Sequence, residues 1–477
     1  MHNFRKTLFN TVPKSRRKLC GKPEQIIRCM SVIDHPSDEK LVSKFQIPKG
    51  IMGQPTFHTH PHLIEPDFLT CGITQMEYRE RRETLVQKLA AEVHNEHQSH
   101  IIVIPAANKQ YMSDKIPYVF RQNSDFFYLT GCLEASAILV MVKPAQTDHF
   151  KSILFVHEKD EHAELWEGPR TGCHAATRLF AVDEARPVGN FPSYIAKVAS
   201  TRPSILWSPR DANREVNDLV APVWQAGAAS GDPQKALHVM RSIKSPAEKE
   251  LMKETCYIGS QAVNMAMAVT KPGVSEHYLT AVLDYSARAS GAEHPAFPPV
   301  VAGGARATHI HYVTNNQLLN AEEMVLVDSG SQRWLYNSDI SRTWPVSGKF
   351  TKHQRILYEL ILNVQKRLIQ ILGEHRPALD QLFDSMCRLL GKNLQQEGIL
   401  PRNIDGNDLV GLTACVRTTC PTTWGWTCTT RRWCDDTCPS GRTWWSPWSL
   451  VYTSVRTTPQ CLRNSGASAS GLRTTCL

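Results

Sequence analysis

Residues 324–346, MVLVDSGSQRWLYNSDISRTWPV, constrain the fold more than any other stretch of the chain. Met324, Val325, Leu326 and Val327 form an apolar run, and Asp328 closes it, so this acid stands at the end of a buried strand. Asp339 follows eleven residues later, beyond the turn-prone SGSQ, on a returning strand. A hairpin of that size can bring both carboxylates onto one face of a sheet. Two acids aimed into a core are costly unless a cation pairs them, and a pair of divalent metals is the strongest candidate. The alternative is two turn aspartates exposed to water.

Bulk properties exclude several classes. At 477 residues the chain accommodates two or three domains, and 42% hydrophobic with 21% charged residues describes an ordinary globular protein. No window approaches eighteen consecutive apolar residues, so no transmembrane helix and no membrane partner are expected. A net charge of +9 suggests nucleic acid, but the charge gathers at the two ends rather than in a basic stripe with interleaved aromatics, so no nucleic-acid partner is expected. Of the fourteen cysteines, seven follow Gly411; the others are scattered without CxxC spacing, which fits reduced thiols inside a cell.

Residues 1–23 hold seven Lys/Arg and no acid, with Phe4, Leu8 and Phe9 between the basic groups. Either a mitochondrial targeting segment or a disordered basic extension has this composition. The following stretch, QPTFHTHPHLIEP, offers His58, His60 and His62 as metal ligands, but its prolines and lack of periodicity favour an arm lying on the surface. A helix is expected in ITQMEYRERRETLVQKLAAEV, and buried strands in HIIVIPA, SAILVMVKP, SILFVHE and SILWSP. Aromatics Phe126, Phe127 and Tyr128, and likewise Trp166 with Arg170, read as packing residues. In RSIKSPAEKELM, Ser245 is an N-cap, Pro246 the first helical residue and Glu248 the third: a capping box that opens a second domain. Two helices then lead to PPVVAGG, a strand with a glycine turn. His309 and His311 would share one face if they lay on a strand, and beside two carboxylates His311 could donate a proton or stabilise an oxyanion. Two amphipathic helices follow, the first carrying Ile356, Leu357, Leu360, Ile361 and Val364 on one side.

The strings VDSG, NSDISRTWPV and HIHY, with YVFRQNSDFFYLTG and ELWEGPRTG upstream, resemble the Xaa-Pro aminopeptidase (aminopeptidase P) family of pita-bread metallopeptidases. The resemblance runs over about 45–410. It implies an α/β amino-terminal domain at 73–238 followed by an α+β pita-bread (creatinase/methionine-aminopeptidase-like) catalytic domain at 239–410, incomplete at its carboxy-terminal end. Around these lie a basic targeting or disordered segment at 1–43, an extended arm at 44–72 and an aberrant tail at 411–477. By residue match the resemblance makes Asp328 and Asp339 metal ligands, His311 the catalytic histidine approaching substrate, and Phe297 an aromatic of the substrate pocket. It implies two Mn²⁺ ions per subunit that activate a bridging water, peptides with proline in second position as substrates, a homodimer, and the mitochondrial matrix, with the cytoplasm as a second location. It also implies that Trp166 and Arg170 reach a neighbouring subunit's active site. Within the same fold, creatinase-like hydrolysis and a non-catalytic binding protein are the rival readings.

In that family a histidine and two glutamates further along complete the metal site, and here the pattern stops. The 67 residues 411–477 hold seven Cys, six of the eleven Trp, fifteen Thr and only two acids, Asp435 and Asp436. The cysteine spacing is wrong for zinc, and WSPWS matches only five residues of a thrombospondin type I repeat. A shifted reading frame explains more. If each codon takes the last base of one codon and the first two of the next, TTWGWTCTT permits HYLGMDVHD, TWWSPWSLVY permits MVVTVEPGVY, and NSGASASG permits part of FRGLGVR. These are the missing motifs, in family order. As it stands, the chain is expected to have impaired turnover.

Overall fold

A computed structural model describes residues 47–93, 97–201, 203–209, 213–225 and 229–400. The basic amino-terminal segment and the tail at 411–477 lie outside the described residues. Helix α1 (Gln75–Glu92) forms where expected, its first turn closed by the Thr74 hydroxyl accepting the Glu77 N–H. A mixed sheet follows, built from β1 (Ser99–Pro105), a short hairpin β2 (Tyr111–Ser113) and β3 (Ile116–Pro117) set apart from it, then α2 (Ser124–Thr130), β4 (Ile138–Lys143), β5 (Lys151–Val156), α3 (Glu161–Glu167), α4 (Gly172–Leu179), β6 (Glu184–Pro187), α5 (Phe191–Thr201), β7 (Ser204–Trp207), α6 (Arg214–Gln225) and β8 (Ala229–Gly231). Its strand order is β6-β5-β4-β1-β7-β8, with β4 antiparallel to both neighbours and the outer pairs parallel.

Both faces of this sheet are covered, which is why its strands are apolar without alternation. On one face Ile102, Ile104, Leu139 and Leu154 pack under α1 and α2 through Leu85, Leu89 and Phe126. On the other, Val103, Val140 and Phe155 meet Phe191, Ile195 and Val220 of α5 and α6. The aromatics of α2 are buried as expected, but Trp166 is not: it stays 70% exposed on α3, with the Lys115 ammonium 5.6 Å from its ring centre. The arm departs from expectation too. It is more than a surface segment, since Met52, Ile64 and Leu69 are buried against the rest of the molecule.

After α7 (Gln234–Ser242) the capping box forms as read: Ser245 Oγ accepts the Glu248 N–H at 3.2 Å and Glu248 accepts the Ser245 N–H at 2.8 Å. It starts α8 (Pro246–Val269), which pairs with α9 (Glu276–Ala289). Next come β9 (His294–Pro295), β10 (Val300–Gly303), a 3₁₀ turn at Gly304–Thr308, β11 (Met324–Ser329), β12 (Ser331–Arg333), β13 (Tyr336–Asn337) and β14 (Ile340–Pro345). Strands β10, β11 and β14 form an antiparallel sheet; β13, β12 and β9 form a second one beside it. One face of the β10-β11-β14 sheet packs Val301, Val325, Val327 and Trp344 on α8 and α9. A helical hairpin, α10 (Lys352–His375) and α11 (Leu379–Gln396), closes on itself through Leu360, Val364, Leu368, Met386 and Leu390. Among the described residues no helix is long and apolar enough to cross a membrane.

Candidate active site

Side chains alternate along a strand, so Leu326 and Asp328 point away from the helices. Leu326 packs there with Val300, Ala302 and the ring of Tyr312. Asp328 sits opposite Val300 on β10 and Ser341 on β14, and the Ser341 hydroxyl donates to its carboxylate at 2.9 Å. Asp339 immediately precedes β14, two residues before Ser341, and so extends the same face. Its carboxyl group shares a hydrogen bond with that of Asp328; burial first, then the Asp328 charge, push Asp339 up to about 7. The two acids are thus side by side, not splayed in a solvent-exposed turn.

They meet by a route more elaborate than a single hairpin. Between them the chain leaves the β10-β11-β14 sheet at Gly330, forms the hairpin β12–β13 in the neighbouring sheet, and returns at Ser338. The crossing is tight: a β-carbon on Gly330 would lie 1.9 Å from the Ser338 carbonyl oxygen and 3.0 Å from the Phe297 ring. Glycine is needed there for close approach. The Ala296 N–H donates to the Gly330 carbonyl at 2.8 Å, which holds the strand leading to Phe297 against the crossing. From the other side the Arg121 guanidinium donates to the carbonyls of Pro295 at 2.7 Å and Ala296 at 3.4 Å. Phe297 therefore borders the carboxylate segment.

His309 and His311 are not on a strand. They follow the 3₁₀ turn on an exposed loop, because Gly304, in the left-handed region at φ 52°, turns the chain out of β10. What fixes this loop is Glu276, in the first turn of α9 and wholly buried. One of its oxygens accepts the Gly303 N–H at 2.9 Å and Arg306 Nε at 2.7 Å; the other accepts the Tyr312 hydroxyl at 2.8 Å and the Gln317 N–H at 3.0 Å. His311 is next to Tyr312, whose ring packs on the Asp328 face. Neither Glu276 nor Ser341 stood out in the sequence. Ser341 could have been found as the residue two beyond Asp339 on the same strand face; Glu276 had no local signal, since its partners are 27 to 41 residues away.

Two hydrogen-bonded carboxyl groups, partly buried and with the Asp328 charge raising the proton affinity of Asp339, are a donor set for a hard divalent cation, whose charge would relieve the repulsion. Among the described residues no group of three or more His, Cys, Asp or Glu side chains is arranged to hold a metal. The histidine and glutamate motifs that the resemblance implies fall beyond residue 400. His58, His60 and His62 also form no such group, although the His60 and His62 rings lie 5.8 Å apart.

Comparison with known proteins agrees with this anatomy. The profile described as the aminopeptidase P N-terminal domain matches residues 78–207, and that of metallopeptidase family M24 matches 250–404. The chain is 38% identical over 387 residues to Xaa-Pro aminopeptidase 3 of Rattus norvegicus, covering 78% of this chain and 75% of that protein. It is 34% identical to the mitochondrial intermediate cleaving peptidase 55 of Arabidopsis thaliana, over 73% of this chain and 68% of the relative. Among solved structures, aminopeptidase P of Escherichia coli, as an aspartate-to-alanine variant, superposes with a TM-score of 0.65 at 28% identity, covering 72% of this chain and 78% of the other. Proline aminopeptidase P II from Yersinia pestis gives 0.64 at 30% identity with the same coverage.

Proposed function

Because this chain belongs to the aminopeptidase P family of M24 metallopeptidases, and is a peptidase by that membership, we propose that its reaction removes the amino-terminal residue from peptides with proline in second position. The observation that carries this reading is the partly buried, hydrogen-bonded Asp328–Asp339 pair beside Phe297. Asp328 and Asp339 would hold two divalent ions, Mn²⁺ by the resemblance; a structure of an E. coli relative is described as zinc-substituted, which supports a divalent metal more generally. Bound ions would acidify a water and polarise the scissile carbonyl. This chain's own residues do the rest. Ser341 fixes the rotamer of Asp328, Phe297 offers an apolar wall for the proline end of the substrate, and His311, held through Tyr312 and Glu276, steadies the oxygen on which charge develops.

We further propose residence in the mitochondrial matrix, supported by the mitochondrial relative and the basic first 23 residues, and assembly as a homodimer. One observation favours the second reading, a pita-bread protein that binds such peptides without cleaving them. The described residues supply two metal-binding acids and no third ligand. Two carboxylates do not hold a pair of metals about 3.5–4 Å apart in the geometry hydrolysis requires.

The deciding experiment compares amino-acid release from an X-Pro peptide, with Mn²⁺ or with EDTA, by the full chain and by a version whose residues after Leu409 are rewritten in the shifted frame. Mn²⁺-dependent release by the rewritten protein, with at most ~1% of that rate from the present chain, is the expected result. No release by the rewritten protein would end the peptidase proposal. Equal rates would show that the tail impairs nothing.

A further inference from the structure

The hairpin between the two acids has a conformation its sequence does not favour. Arg333 of β12 pairs with Tyr336 of β13, so Trp334 and Leu335 are the two residues of a tight turn. Both are left-handed, with φ of 48° and 62°. Such a turn normally takes Asn-Gly or Asp-Gly, and bulky side chains there persist only where the surroundings over-determine them.

The surroundings are unusually specific. Trp334 is 5% exposed, inserted among Ile64 of the arm, Phe127 of α2 and Leu251 of α8, with Phe57, Phe68 and Leu133 packed around them. Its backbone N–H donates to the Glu293 carboxylate at 2.7 Å. Arg333 donates to the Gly291 carbonyl at 2.9 Å. On the other strand the Tyr336 hydroxyl donates to Glu248 at 2.7 Å; Glu248, the capping-box acid of α8, is itself buried, 3.6 Å from Arg81 of α1. Arg81 in turn donates to the Tyr128 carbonyl of α2 and lies over the Tyr78 and Tyr128 rings. The hairpin tip is thus gripped by the arm and α2 of the amino-terminal domain together with α8 and the 291–293 segment of the catalytic domain.

The base of this hairpin is the crossing of Gly330 and Ser338, and Asp328 and Asp339 flank it. The two acids stand where β11 ends and β14 begins, so the geometry of the crossing between them bears directly on their spacing. We propose that Trp334 and Tyr336 are positioning residues for the Asp328–Asp339 pair, and that the arm and amino-terminal domain, by gripping the hairpin tip together with α8, set the spacing of these two acids for a cation. The proposal rests on the reading of both aspartates as metal ligands. It gives the α/β domain a part in building the metal site as well as in any contact with substrate.

The test titrates Mn²⁺ into the full chain at low temperature and follows the electron paramagnetic resonance signal of the free ion, with circular dichroism and a melting curve for every variant. Asp339→Asn is the control. Trp334→Ala and Tyr336→Phe are expected to weaken binding by roughly ten-fold, the scale of losing a group that orients a metal ligand, while the spectrum stays that of the parent. Trp334→Phe, which refills the socket, is expected to restore binding to within about two-fold of the parent. If Trp334→Ala does not fold, Tyr336→Phe, which loses one hydroxyl, decides alone. A parent that does not bind Mn²⁺, or an Asp339→Asn chain that binds as well as the parent, removes the metal reading and this proposal with it. Binding that needs Asp339 but ignores Tyr336→Phe and Trp334→Ala overturns the positioning role alone.

Discussion

With metal chelated, replacing Asp339 by asparagine should stabilise the protein, by an amount that grows as pH rises from 3.8 to about 7. Burial and the neighbouring Asp328 raise the Asp339 carboxyl from its ordinary value of 3.8 to about 7. A carboxyl raised on folding gives its full stability below the unfolded value and loses it as pH climbs through the folded one. Each pH unit between these values is worth about 1.4 kcal/mol, so the ceiling is about 4 kcal/mol. Asp339 keeps some contact with water and the asparagine replaces only part of the shared hydrogen bond, so about 2 kcal/mol is the expected gain at pH 8. Hydrogen exchange of the amides in Met324–Ser329 and Ile340–Pro345, in EDTA, reads the opening free energy of the two strands directly. Asp339→Asn should exceed the parent at pH 8, and the difference should vanish near pH 4.5. A gain of the same size at both pH values, or a loss at pH 8, would refute the account of two repelling acids awaiting a cation.

Other perturbations give equally direct tests. Gly330→Ala, by driving a β-carbon against the Ser338 carbonyl 1.9 Å away, should cost about 3 kcal/mol in urea unfolding and weaken Mn²⁺ binding. An unchanged midpoint would mean the crossing is looser than described. Glu276→Ala leaves Arg306 with Glu323 as its one acidic partner among the described residues and the Tyr312 hydroxyl and two backbone N–H groups without their acceptor, and should cost about 3 kcal/mol; proteolysis should then first cut the 309–318 loop. In the α/β domain burial would raise the Asp183 carboxyl, but the Ser152 N–H and hydroxyl and the Arg79 guanidinium outweigh it and hold it below the usual aspartate range. Its stabilisation is therefore present above the ordinary value and lost as pH falls. Asp183→Asn should cost about 1–2 kcal/mol at pH 7 and progressively less toward pH 3.

Local signals were legible from the sequence and held. The Ser245–Glu248 box and the apolar stripe of α10 act within three or four residues of themselves, so they needed no knowledge of the rest of the chain. The apolar run ending in Asp328 likewise announced a buried strand closed by an acid. What tertiary structure decided are encounters across long separations. The grip on the hairpin joins Tyr336 to a glutamate 88 residues earlier, and Arg121 reaches the strand before Phe297 from 174 residues away. The arm misled because proline-broken sequence has no period, and periodicity is the only burial signal a sequence carries without its partners. The placement of the histidines was likewise beyond their spacing: the left-handed Gly304 turns the chain out of β10 before it reaches them. Spacing fixes which residues can share a face; whether that face meets solvent, a helix or a second carboxylate depends on surfaces that exist only once the chain has folded.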